Sequence, residues 1–172
     1  MRRSSIHLRA SALLASSLVT LLSAASARAE PTIEVETRGE LAFGDEVLPA
    51  PGLEATFGWA LDTYPLLLVP EVALSGTWHP TIGQAGVVRA LAGGRVGLTT
   101  LVEPAIYVHG GYGAWIAGEG VVHGGAIDAG LAVDKRLSRD LTLGGALGYQ
   151  GLFAGRSTLH GLAAGFHIGF WL

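Results

Sequence analysis

The chain contains no cysteine, which excludes disulfides and thiolate-held metals from the outset. Lysine is almost missing too: Lys135 stands alone, and every other fixed cation is an arginine. Charged residues make up only 15% of the chain, far short of the mixed charged surface by which a soluble exported domain stays in solution. No apolar run reaches the 18 or so residues that a spanning helix needs. A sustained 3.6-residue period is also lacking, so helix is not a competitive reading anywhere. After residue 30 there is no linker, low-complexity block or shift in composition, which points to one domain.

What is present begins with an export signal. Arg2, Arg3 and Arg9 form a basic start, Ala10 to Ala25 is apolar and small, and Ala27-Arg28-Ala29 satisfies the small-x-small rule for cleavage. The reading is a signal peptide over residues 1–29 and a mature domain over 30–172; the rival is an amphipathic N-terminal helix. Cleavage removes four arginines and no acids, leaving 7 Lys+Arg against 14 Asp+Glu, a formal charge of −7. A nucleic-acid binder needs a basic face, so that class is excluded.

The mature chain repeats one unit, a segment of 10 to 15 residues with two-residue alternation closed by a turn. Eight fit: 31–43, 52–63, 66–79, 87–99, 101–115, 122–137, 140–153 and 158–172. Ile33, Val35, Leu41 and Phe43 share one face of the first, against Glu34, Glu36, Arg38 and Glu40 on the other. The last runs Leu162, Ala164, Phe166, Ile168, Phe170, Leu172 without a break. Successive strand side chains point to opposite sides, so each segment is a strand with one greasy face, the pattern of a barrel or sandwich. Tyr64-Pro65, Thr99-Thr100 and Leu137 to Asp140 read as tight turns; the other connections are longer, up to about nine residues over Gly44 to Gly52. Short turns at one end and longer loops at the other are the habit of up-and-down membrane barrels. Pro70 and Pro104 lie inside segments, lack a ladder donor and predict bulges.

Alternation alone does not say which face is outside. A soluble, lipocalin-like barrel has the same period with the faces exchanged. Three features favour lipid outside. The less apolar face is crowded with small residues, among them Gly58, Gly93, Gly113, Gly130, Gly144, Gly148, Gly165 and Gly169, as a narrow eight-stranded interior requires. The apolar face carries no charge except Lys135 near a turn, as hydrocarbon demands. Phe43, Trp78, Tyr112, Tyr149 and Phe170 on that face suggest interfacial belts. The fold class is therefore all-β, a closed antiparallel up-and-down transmembrane barrel of eight strands, which leaves no open edge in lipid.

Two segments carry a family likeness. Gly125 to Phe153, GAIDAGLAVDKRLSRDLTLGGALGYQGLF, resembles the penultimate hairpin of the small eight-stranded outer membrane β-barrel superfamily, which includes the outer membrane protein A transmembrane domain and opacity-type proteins. Gly161 to Leu172 resembles that family's C-terminal assembly signal, departing from it in ending on Leu172 instead of phenylalanine. The resemblance implies an outer membrane location, outer membrane lipids as partners and insertion by the assembly machinery. It implies no cofactor and no particular activity, and a monomer is expected.

With the greasy face outward, Glu34, Glu36, Arg38, Glu40, Glu54, Asp62, Glu71, His79, Arg89, Arg95, Glu103, His109, Asp128, Asp134, Arg136 and His167 point inward. Nine acids and four arginines in a narrow lumen must be paired and hydrogen-bonded. The reading is a salt-bridged plug in a structural, envelope-integrity protein; the alternative is a narrow passive path preferring cations, because acids exceed arginines. A lipid A-modifying enzyme would need His160 and Ser157, or His109 and His123, to converge with an orienting acid at one rim, and no local motif asks for that. His109 to Gly113 fails as a nucleotide loop, having no third glycine at the required spacing and no helix after it. His79 and His109 as metal ligands would need a further partner, so no catalytic, cofactor or metal site is assigned. The acidic stretch Asp45 to Pro49 is read as solvated, and connections this short leave little for an adhesive footprint.

Overall fold

The computed structural model describes residues 29–43, 47–80, 85–118, 120–155 and 157–172. Residues 1–28 of the signal segment thus lie outside the described residues, as do Asp45 and Glu46 of the acidic stretch, while Ala29 opens the first strand. Eight strands follow one another: β1 (Ala29–Phe43), β2 (Val47–Thr63), β3 (Leu66–His79), β4 (Ala85–Leu98), β5 (Glu103–Ala117), β6 (Gly120–Arg136), β7 (Leu141–Ala154) and β8 (Ser157–Trp171). Each pairs antiparallel with its sequence neighbour, and β1 pairs with β8, closing the barrel.

The stagger of that closure sets the lumen. From Ile33, the partners run Phe57, Val72, Ala92, Gly110, Ile127, Gly151 and His160 back to Phe43. One circuit climbs ten residues along β1. With about 3.3 Å per residue and about 4.8 Å between strands, that stagger tilts the strands by about 41° and puts the backbone about 8 Å from the axis. Side chains from opposite walls of so narrow a tube must meet.

The faces sort accordingly. Leu131 is 59% exposed and Phe166 78%, while Asp128 is 0% and Arg89 1% exposed. This arrangement removes the soluble alternative, in which the apolar side chains would pack centrally. Phe170 pairs with Ile33, and Phe43 stands ten residues further along β1. At the tilt above, that separation is about 25 Å, the height of a barrel's apolar band. Outward Trp59 lies near the lower limit, with Trp78 and Phe153 near the upper.

Four expectations need correction. The connections at the end away from the termini are not long: pairing continues to Phe43↔Val47, Ala117↔Gly120 and Ala154↔Ser157, with His79↔Ala85 the widest. Residues 47–51, read as loop, belong to β2; they pair with β1 alone, because the β2–β3 ladder starts at Gly52↔Thr77. Pro49 and Pro51 are tolerated there because β2 has an unpaired edge. Nor do Pro70 and Pro104 make bulges. The β2–β3 ladder is interrupted between Gly58↔Glu71 and Leu61↔Leu68 but keeps its register, and Pro104 lies just past the last β4–β5 pair, Gly97↔Ala105. A missing donor thus costs a rung without inserting a residue. Finally, the turn read at Thr99-Thr100 spans residues 99–102, with Glu103 opening β5.

Candidate functional site

The lumen is built in layers, each from alternate residues of several strands. In the middle, Arg38 on β1 reaches three carboxylates: Glu36 at 2.6 Å, Asp128 of β6 at 2.5 Å and Glu54 of β2 at 3.0 Å. Gln150 of β7 donates its amide to Asp128 at 3.1 Å. A step towards the termini, Arg95 on β4 grips Glu34 with two nitrogens at 3.0 and 3.1 Å, bonds Asp134 at 3.1 Å and lies 3.6 Å from Glu71. His109 joins Glu71 at 2.8 Å and stacks on Tyr107, while His167 meets Asp134 at 2.5 Å. Two balanced pairs lie outside this cluster: Arg89 with Glu40 at 3.2 Å towards the loops, and Arg136 with Glu103 at 3.8 Å towards the termini. Arg136 also lies 3.8 Å over the Trp171 ring.

Small residues make this density possible. A Cβ on Gly144 would fall 2.0 Å from Asp134 Oδ1 and 2.2 Å from His167 Nε2; one on Gly165 would fall 2.3 Å from Glu36 Oε1. On Gly148 it would lie 2.3 Å from the Tyr107 hydroxyl. The glycines are where the large polar groups are housed.

Apolar layers close both ends of the charged zone. Ala73, Val87, Leu91, Ala126 and Leu152, with Trp115 and Leu159 against them, fill the loop side. Ala60, Leu67 and Val69, with Trp171, fill the side of the termini. Among the described residues, cavities of about 40 and 10 Å³ lie beside the charges, each enough for an isolated water.

Of the residues assigned inward from sequence, Glu34, Glu36, Arg38, Glu40, Glu54, Glu71, Arg89, Arg95, Glu103, His109, Asp128, Asp134, Arg136 and His167 all take part in these ion pairs. Asp62 does not. It is exposed at the rim, where its carboxylate accepts from the Tyr64 N–H at 3.1 Å and the Thr99 hydroxyl at 3.3 Å. His79 is buried among the loop-side apolar layer, against Trp115 and 3.4 Å from Thr77. Gln150, Tyr107 and Thr142, which accepts the Trp171 indole N–H at 2.9 Å, were missed; alternation from Tyr149 alone would have put Gln150 inside.

The histidines considered for chemistry do not converge. His160 faces outward between Phe43 and Tyr149, His123 faces outward against the Tyr112 hydroxyl, and His109 points into the lumen. The Ser157 side chain lies outside the described residues. His109 to Gly113 runs within β5 and forms no loop.

No protein-family model matches the chain, and no curated protein matches it significantly. Solved structures do. The chain is similar to Neisserial surface protein A (NspA), with a TM-score of 0.67 and 9% identity over 84% of this chain and 99% of that one. It is also similar to Ail, the attachment invasion locus protein of Yersinia pestis in complex with the heparin analogue sucrose octasulfate, with a TM-score of 0.53 and 11% identity over 84% and 99%. At such identities the likeness establishes a shared fold.

Proposed function

We propose that this chain, an eight-stranded barrel of the outer-membrane type, is a sealed structural element of that membrane that contributes to envelope integrity. The observation carrying this reading is the lumen: ion pairs cross-link β1 to β2, β4 and β6, and apolar side chains pack above and below them. A buried charge persists only where it is paired, and among the described residues every pair but Arg38–Glu36 joins different strands, so the network ties the wall across its own axis. Lipid hydrocarbon is the partner of the outward face, and insertion by the outer membrane assembly machinery as a monomer fits the alternating C-terminal strand. Short connections leave little surface above the membrane for a large partner.

One observation favours the rival reading, a cation-preferring path: the central acids outnumber the arginines. Planar-bilayer recording of the purified folded barrel separates the two. The sealed reading expects no steady conductance; reproducible cation-selective currents would refute it. Fractionation with a heat-modifiability gel tests location. The expected result is a band that shifts on boiling, recovered with outer membranes, and recovery in the soluble periplasm would count against it.

A further inference from the structure

His167 is 1% exposed, and its two ring nitrogens face unlike surroundings. Nε2 lies 2.5 Å from Asp134 Oδ1, which anchors that side of the ring. Nδ1 has no hydrogen-bond partner, yet it points between Glu36 Oε2 at 3.4 Å and Glu34 Oε1 at 3.5 Å. With Nε2–H donated to Asp134, the bare Nδ1 lone pair would face two carboxylate oxygens, which repel it unless a cation stands between them.

The distances suggest which cation. Two ligands held about 2.1 Å from a tetrahedral metal lie about 3.4 Å apart. Glu34, Glu36 and His167 offer one ligand atom each, all within 4.8 Å of one another. Asp134 behind the imidazole reproduces the carboxylate–histidine–metal relay that orients ligating histidines. Charge points the same way. Among the described residues, the central cluster holds six carboxylates (Glu34, Glu36, Glu54, Glu71, Asp128, Asp134) against the guanidiniums of Arg38 and Arg95. Protonating both His109 and His167 would still leave an excess of two negative charges in a lumen closed by apolar layers, and a divalent cation offsets charge of that size.

We propose that Glu34, Glu36 and His167 bind one divalent transition-metal cation of the zinc type, with Asp134 as a positioning residue behind His167. A mixed imidazole and carboxylate set suits zinc better than calcium or magnesium, which take oxygen donors.

The test refolds the denatured, metal-free barrel into detergent in the presence of Zn2+ or Co2+ and then removes unbound metal by dialysis. The expected result is about one zinc retained per chain and, with cobalt, the intense visible bands of a tetrahedral site. His167→Asn and Glu36→Gln should abolish both, and Asp134→Asn should weaken zinc affinity by about 10- to 100-fold. Glu103→Gln, outside the cluster, should leave binding intact. A heat-modifiability gel confirms that each variant is folded; should His167→Asn not fold, wild-type stoichiometry and the cobalt spectrum decide alone. Folded wild-type barrel that retains no stoichiometric zinc overturns the proposal and assigns the charge on Nδ1 to a proton. Undiminished zinc binding by folded His167→Asn, or preference for calcium over zinc, also overturns it.

Discussion

Arg38→Met is the most demanding test of the cross-linked lumen. The guanidinium holds Glu36, Asp128 and Glu54 at 2.6, 2.5 and 3.0 Å, and all four side chains are no more than 4% exposed. Methionine keeps much of the volume and removes the charge. Hydrogen bonds to charged groups contribute about 1.5–3 kcal/mol each, and breaking a single buried ion pair costs about 3–5 kcal/mol because a charge is stranded. Three carboxylates would be stranded here, so the loss should be at least about 5 kcal/mol, the lower end of total stability for an ordinary domain. Urea unfolding in lipid vesicles, followed by tryptophan fluorescence and by the gel shift, measures it. Because the penalty lies in the uncompensated acids, Arg38→Met/Glu54→Gln/Asp128→Asn should recover more than half of the loss despite carrying three substitutions. A stability within about 1 kcal/mol of wild type for Arg38→Met alone would refute the claim that this network ties the wall.

Further outcomes follow from the same geometry. Leu74→Arg, on the outward face near mid-membrane, should cost about 2–4 kcal/mol in vesicle unfolding, whereas Lys135→Leu near the rim should change stability by less than about 1 kcal/mol. Gly144→Val should displace Asp134 and His167, whose atoms lie within 2.2 Å of its new Cβ; fold retention on the gel shift should fall, and a wild-type shift would contradict the packing described. Leu152→Ala, 2% exposed in the loop-side layer, should lose about 2–5 kcal/mol by leaving a cavity, read out as a lower urea midpoint. The same variant should still show no bilayer conductance, since the charged layers remain.

Much of this was legible because strand periodicity is local. Whether Glu36 or Val35 faces the lumen depends only on odd and even positions, so the sidedness of each segment could be read without knowing any partner. Ladder ends were less visible. Val47 to Pro51 carries two prolines and reads as loop, but in a closed barrel backbone groups are satisfied by continuing the ladder, and pairing with β1 drew the segment into β2. Asp62 shows the limit of parity: it has the inward phase, but it sits at the turn, where the Tyr64 amide and Thr99 hydroxyl take it up.

Alternation along the chain was thus sufficient for a barrel with acids and arginines on one face and hydrocarbon-compatible side chains on the other, because each strand's two faces follow from its own backbone. Which acid meets which arginine was not available at that level. Arg38 and Asp128 are 90 positions apart, and Arg95 and Glu34 are 61 apart. Their meeting depends on a ten-residue stagger accumulated over eight ladders, a property of the closed sheet that no single strand contains. The same stagger brings His167 of β8 level with Glu34 and Glu36 of β1, so the metal-binding geometry proposed for them arises only when the barrel closes.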